Sequence, residues 1–148
     1  MEHVEYGGLH ATVHCLGSVI MERRCNMDID TALKSAMEID GAVGAALVDY
    51  ESGMALGLLG GGRHLDLEVA AAGNTEVIRA KLRTMASLNL GDEIEDILIT
   101  LKKQYHLIRL LPAERSSSLF LYLALDRSRA NLAMARHQLR RIEAVLAA

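Results

Sequence analysis

The sequence predicts an α/β (α+β) fold in three layers, a five-stranded, mostly antiparallel sheet with helices on both faces. Three stretches carry that expectation. Residues 41–49 (GAVGAALVD) and 118–126 (SLFLYLALD) are apolar almost throughout. A strand reads that way when both faces of its sheet are covered, so both belong at the centre. Residues 65–88 (LDLEVAAAGNTEVIRAKLRTMASL) have the period of a long amphipathic helix, with Leu67, Ala70, Ala71, Ile78, Leu82, Met85 and Leu88 on the stripe that meets the sheet.

Composition narrows the classes. A chain of 148 residues suffices for one domain with one core, and folding at this size removes roughly 68–70% of the unfolded chain's surface. Aromatic residues make up only 3% of a sequence that is 51% hydrophobic, so the core is built from Ala, Leu, Ile, Val and Met. A net charge of −3 supplies no field for a polyanion, which argues against nucleic acid as a partner. The apolar runs fall short of the ~20 residues that span a bilayer and no signal-peptide pattern is complete, so a cytoplasmic protein without membrane insertion is expected. In that setting Cys15 and Cys25 are expected to be free thiols.

The elements follow in order. Residues 1–26 show no sustained period and end in the charged run Glu22-Arg23-Arg24, so they read as an appended arm, solvated or loosely docked, or as a start-site extension. His10, His14 and Cys15 lie there without a complete metal-ligand set. The domain proper is expected over 27–148. A short helix capped by Asp28 or Asp30 runs through Glu38, with Ile29, Leu33, Ala36 and Met37 on one face, and Gly41 stops it. The central strand 41–49 follows. Glu51-Ser52-Gly53 is a turn, and Met54 to Leu59 is the return strand of a hairpin. After the long helix, Asn89 to Asp92 breaks the pattern. Glu93 to Leu101 reads as an edge strand that starts charged, Tyr105 to Leu111 as a fourth strand, and 118–126 as the fifth. Asp126 or Ser128 caps a closing helix with Leu132, Ala135, Leu139, Ile142 and Leu146 inward, and Arg129, Arg136, Arg140 and Arg141 on a solvated outer face that could also dock an acidic partner.

Candidate sites are few. The glycine-rich stretch 57–62 precedes a helix, as phosphate loops do, but Arg63-His64-Leu65 follows where a P-loop needs Gly-Lys-Ser/Thr, so a strand-to-helix crossover is expected. Glu93, Glu95 and Asp96 lack the spacing of a calcium loop. The six histidines, His3, His10, His14, His64, His106 and His137, sit in no recognisable nucleophile motif. No catalytic residue, metal ligand or cofactor is expected. The long helix, however, carries a second strip, Val69, Gly73, Ala80 and Ser87, whose last three members recur every seven positions and are no larger than alanine. Small side chains let another backbone approach, which points to a crossing element, such as the same helix of a second subunit.

The element order helix-strand-strand-helix-strand-strand-strand-helix resembles the Roadblock family, the dynein light chain and bacterial gliding-regulator group with a profilin-like three-layer sandwich. Gly41-Ala42-Val43 through Ala45-Ala46-Leu47, on to Gly53 and Ala55, is similar to that family's Gly-Val-x-x-Ala opening and Gly-x-x-x-Ala return. Arg129-Ala130-Asn131-Leu132-Ala133 resembles its usual ending. The likeness covers about residues 27–146. It implies a non-enzymatic module that forms homo- or heterodimers through third strands and long helices. It also implies binding and regulation of a small Ras-like GTPase, in bacteria often beside a sensor kinase. On that implied pairing the interface residues are Val69, Gly73, Val77, Ala80, Thr84 and Ser87 of the long helix and Ile97 and Ile99 of the third strand. Two other classes stay open: a small-ligand sensor of profilin-like fold, favoured by the glycine stretch, and a scaffold subunit with no nucleotide-dependent partner.

Overall fold

The computed structural model describes residues 29–112 and 118–146 of the protein. Helix α1, described over 29–37, leads through Gly41 into β1 (Ala42–Asp49), and a tight turn returns the chain as β2 (Ala55–Gly60). Gly41 has φ +86°, and an added Cβ would lie 3.0 Å from both Ala130 Cβ and the Asp126 carbonyl oxygen, so glycine is required where the chain enters the sheet. Helix α2 (Leu67–Ser87) follows, then β3 (Asp96–Thr100), β4 (Gln104–Leu110), β5 (Leu119–Asp126) and α3 (Leu132–Leu146). The strands form one sheet in the order β2-β1-β5-β4-β3, and every neighbouring pair is antiparallel. The two continuously apolar strands, β1 and β5, lie inside the sheet as their composition demands, and β3 and β2 are its edges.

Alternation along the strands divides the core in two. Leu47, Leu107, Leu121 and Leu123 face α1 and α3, and are covered by Leu33, Ala36, Leu139 and Ile142. Ala46, Val48, Ile108, Phe120 and Tyr122 face α2, and meet Leu67, Ala71 and Ile78. This is the three-layer sandwich the sequence predicts. Among the described residues, no helix is long and apolar enough to cross a membrane.

Local chemistry sets the helix ends. The Asp66 side chain accepts from the amides of Glu68 and Val69 at 3.0 and 3.1 Å and so starts α2. Asn89, at φ +52°, ends it in the left-handed conformation that asparagine tolerates. Because the chain turns away there, Leu88 is 61% exposed and does not belong to the sheet-facing stripe as expected. Thr75 takes an unexpected place in that stripe. It is 1% exposed, and its hydroxyl donates to the Ala71 carbonyl at 2.8 Å, which satisfies the one polar group that burial would otherwise penalise.

Other expectations need correction. Asp30 lies inside α1 and does not cap it, and Asp28 falls outside the described residues. Helix α3 is started by Asn131, whose side chain accepts from the Met134 amide at 3.1 Å. Asp126 and Ser128, the expected caps, are spent on each other in the preceding turn, where Ser128 donates to Asp126 from both its amide and its hydroxyl. β3 is shorter than expected because its pairing with β4 begins only at Asp96, opposite Arg109. Arg136 is not on a purely solvated face; it donates to Asp96 at 2.9 Å.

Candidate interaction surface

The small-residue strip of α2 faces away from its own sheet. Val69 is 67% exposed, and Gly73, Val77, Ala80, Thr84 and Ser87 are exposed as well. A Cβ built on Gly73 would meet nothing within 4 Å, so no part of the described chain explains the smallness of that position. Thr84 spends its hydroxyl on the Ala80 carbonyl at 2.9 Å, which makes the strip less polar than its composition suggests.

Ile97 and Ile99 sit on the outermost strand at the other side of the sheet from β2. They pair with Ile108 and His106, and both are half-buried against the α2-side core. Val77 and Ile97 meet across one hollow of about 560 Å³, walled also by Lys81, Met85, Leu90 and Ile94. The structure thus joins the helix strip to the edge strand at these two residues. Val69, Gly73, Ala80, Thr84, Ser87 and Ile99 do not line that hollow.

The edge strand is anchored by charges that sequence reading passed over. Arg109, next to the last residue of β4, is buried and points toward α3, where its Nε donates to Glu143 at 3.0 Å. Its Nη1 lies 3.8 Å from Asp96, which also accepts from Arg136 at 2.9 Å. Two cations and two carboxylates therefore tie β3 and β4 to α3, with no charge left uncompensated in the group. The legible signal was Arg109 itself, since a basic residue at an inward strand position demands an acidic partner.

On the α2 side, His106 lies between Gln104 and Tyr122. Its Nε2 is 2.8 Å from the Gln104 side-chain oxygen and its Nδ1 is 3.1 Å from the Tyr122 hydroxyl. The His106 and Tyr122 rings meet edge to face at 5.4 Å. Burial holds the imidazole below its ordinary pKa and pushes the Tyr122 phenol up to about 12. A neutral imidazole donating from Nε2 and accepting the tyrosine proton at Nδ1 satisfies both contacts.

The glycine stretch feeds α2 but does not present a free helix N-terminus, because Asp66 already occupies the Glu68 and Val69 amides and adds negative charge where a phosphate would bind. In the acidic cluster at 93–96, Asp96 is engaged by Arg109 and Arg136. His10, His14, Cys15 and Cys25 lie outside the described residues. What the surface presents is small and apolar side chains beside an open strand edge, which is the chemistry of docking.

No protein-family model matches the chain, and no curated protein matches it. Solved structures do. The chain is similar to Myxococcus xanthus MglB, at 18% identity and a TM-score of 0.65 over 84% of this chain and 86% of that one. It is similar to a Roadblock/LC7 domain from Streptomyces avermitilis, at 12% identity and a TM-score of 0.63 over 80% and 90%. It is also similar to an MglB structure with a tetrameric arrangement, at 18% identity and a TM-score of 0.67 over 84% and 88%. At these identities the likeness is one of fold, and the chain has the Roadblock/LC7 fold.

Proposed function

We propose that the protein is a non-catalytic regulatory module of the Roadblock family, which dimerises and binds a small Ras-like GTPase. The observation that carries this reading is the hollow in which Val77 of α2 meets Ile97 of the free-edged β3. It joins two features that each call for a second copy, a helix face of small residues open to solvent and a strand with one unpaired side. In the dimer, α2 crosses the partner's α2 near Gly73 and Ala80, and β3 pairs with the partner's β3. The likeness to an MglB structure of tetrameric arrangement supports self-association. The GTPase partner follows from the family resemblance of the motifs at 41–55 and 129–133. A complex with a sensor kinase belongs to the same reading.

The test has two arms. Sedimentation velocity of the full chain should give a dimer at micromolar concentration. The dimer should then bind a small Ras-like GTPase from the same organism, with affinities for its GDP and GTP-analogue forms that differ at least severalfold. A monomer that binds neither form contradicts the proposal. Equal binding of both forms would make the protein a nucleotide-independent scaffold.

A further inference from the structure

The edge strand β3 is apolar in its middle and charged beyond both ends. Asp92, Glu93 and Glu95 precede it, Ile97, Leu98 and Ile99 form its centre, and Lys102-Lys103 follows in the turn to β4. Arg127 joins the basic end, where its Nη1 donates to the Leu101 carbonyl at 2.7 Å. Glu93, Glu95, Lys102 and Lys103 are exposed, and no ion pair among the described residues engages any of them. Lys81 shares a hollow with Glu93 and Glu95 but is in no such pair. Asp96, by contrast, is turned to Arg109 and Arg136. The uncompensated charges thus sort by sign, acidic where the strand begins and basic where it ends.

Such an order complements itself only when reversed. A parallel copy would set carboxylates beside carboxylates and ammoniums beside ammoniums. An antiparallel copy sets the acidic end of each strand beside the basic end of the other, at two equivalent junctions. Helix geometry asks for the same direction. Two α2 helices that meet near Gly73 and Ala80 lie on one face of the joined sheet, so the two-fold axis is perpendicular to it and the edge strands run antiparallel. Directly opposite residues of an antiparallel pair point to the same face, and Ile97 and Ile99 face α2 whereas Leu98 faces α1 and α3. The axis therefore passes through a residue, and an axis at Leu98 lets all five residues of β3 pair. Ile97 then lies opposite the partner's Ile99, Asp96 opposite the partner's Thr100, and Glu93 level with the partner's Lys103. The Leu101 amide donates to the Gln104 carbonyl at 2.8 Å, so alternation along the ladder turns the amides of Leu98 and Thr100 to the free side.

We infer that β3 pairs with a second copy of this chain in the register centred on Leu98, and that the opposite charges at its two ends select that partner. The inference rests on the dimer proposed above and adds to it which chain the partner is. A chain of the same fold with a different order of charges would meet like charges at one junction or both, so the edge favours the homodimer. Exposed charges of this kind act mainly on encounter and register, and salt should weaken the selection as it screens them.

Sedimentation of charge-reversed full chains at low salt tests this. Glu93→Lys/Glu95→Lys and Lys102→Glu/Lys103→Glu should each dimerise at least ~10-fold more weakly than the wild type, with unchanged melting curves, because each sets like charges at both junctions. An equimolar mixture of the two should return to within ~3-fold of the wild-type affinity, and so should a chain carrying all four substitutions. Variants that self-associate like the wild type, or a mixture no stronger than its components, overturn the inference. A wild-type dimer with indifferent variants leaves the dimer standing and removes only the charge-selected register, whereas a monomeric wild type removes both. Hydrogen exchange gives a second measurement without substitution. Protection of the Leu98 and Thr100 amides should grow with protein concentration, and exchange there that is independent of concentration contradicts the pairing.

Discussion

Among the described residues, two helices lie on one face of the sheet and one on the other. On the first face, Leu33, Ala36, Leu139 and Ile142 close over Leu47, Leu107, Leu121 and Leu123, all of them 7% exposed or less. On the second, α2 packs chiefly on β1 and β2, and Ile97 and Ile99 at the far side keep part of their surface. The strands carry a cluster of buried apolar residues on both faces, so the difference arises from cover. A helix is about 10–12 Å wide with its side chains and five strands span about 19–20 Å, so one helix cannot roof the whole face. The described residues therefore leave the roof of the second face incomplete, and the small residues on the outer side of α2 leave room for what completes it.

The largest expected effect comes from breaking the closed face. Leu121→Asp places an unpaired carboxylate at a position 1% exposed, at a cost of several kcal/mol against a total stability of ~5–15. Cooperative thermal unfolding, followed by circular dichroism, should be lost. Next in size, Glu143→Ala leaves buried Arg109 with only Asp96, 3.8 Å away, and should cost about 3 kcal/mol in urea unfolding. A loss below ~0.5 kcal/mol would mean that α3 is held by apolar contacts alone.

The same aspartate on the open face sharpens the comparison. Ile99→Asp should keep cooperative unfolding at a cost of about 1–2 kcal/mol while weakening self-association at least ~10-fold, measured by sedimentation. If it unfolds the chain as Leu121→Asp does, the two faces are equally closed and the comparison fails. The smallest effect is one of pH. Because burial depresses the His106 pKa in the folded state, the unfolded chain binds the proton more readily. Stability is fully present above the ordinary value of ~6.5 and should decline as pH falls through the lower folded value. Urea unfolding between pH 7 and 5 should show that decline, and His106→Gln should flatten it. Asp49 and Asp126, whose pKa values are lowered mainly by hydrogen bonds from Ser118 and Ser128, lose their contribution only below 3.8 and leave this window clear.

Much of the fold was legible because its signals are periodic or continuous. The apolar runs of β1 and β5 fixed the centre of the sheet, and the stripe Leu67, Ala71 and Ile78 fixed which side of α2 meets it. What escaped depends on partners far along the chain or on polar side chains that satisfy themselves. Arg109 and Glu143 are 34 positions apart, and Asp96 and Arg136 are 40, so no local window contains either pair. Thr75 is buried because its hydroxyl finds the Ala71 carbonyl one turn back, which hydropathy alone does not register. Asn131 caps α3 where Asp126 and Ser128 offered the same chemistry a few residues earlier, and only the geometry of the turn decides among them. In the candidate surface, the outward placement of Gly73 and Ala80 was legible from spacing. Their continuity with Ile97 through Val77 required the folded chain.

Sedimentation of Ala80→Arg beside the wild type tests the central claim most directly. Ala80 is exposed, so within one chain an arginine there should change stability by less than ~0.5 kcal/mol. Gly73→Ala is the control. Its added methyl meets nothing among the described residues and gains about 1 kcal/mol of helix propensity, so a loss of association points to a partner. The wild type should be a dimer at micromolar concentration, Ala80→Arg a folded monomer, and Gly73→Ala weakened in association. A dimeric Ala80→Arg with an unchanged melting curve would contradict it and leave β3 as the dimer seam.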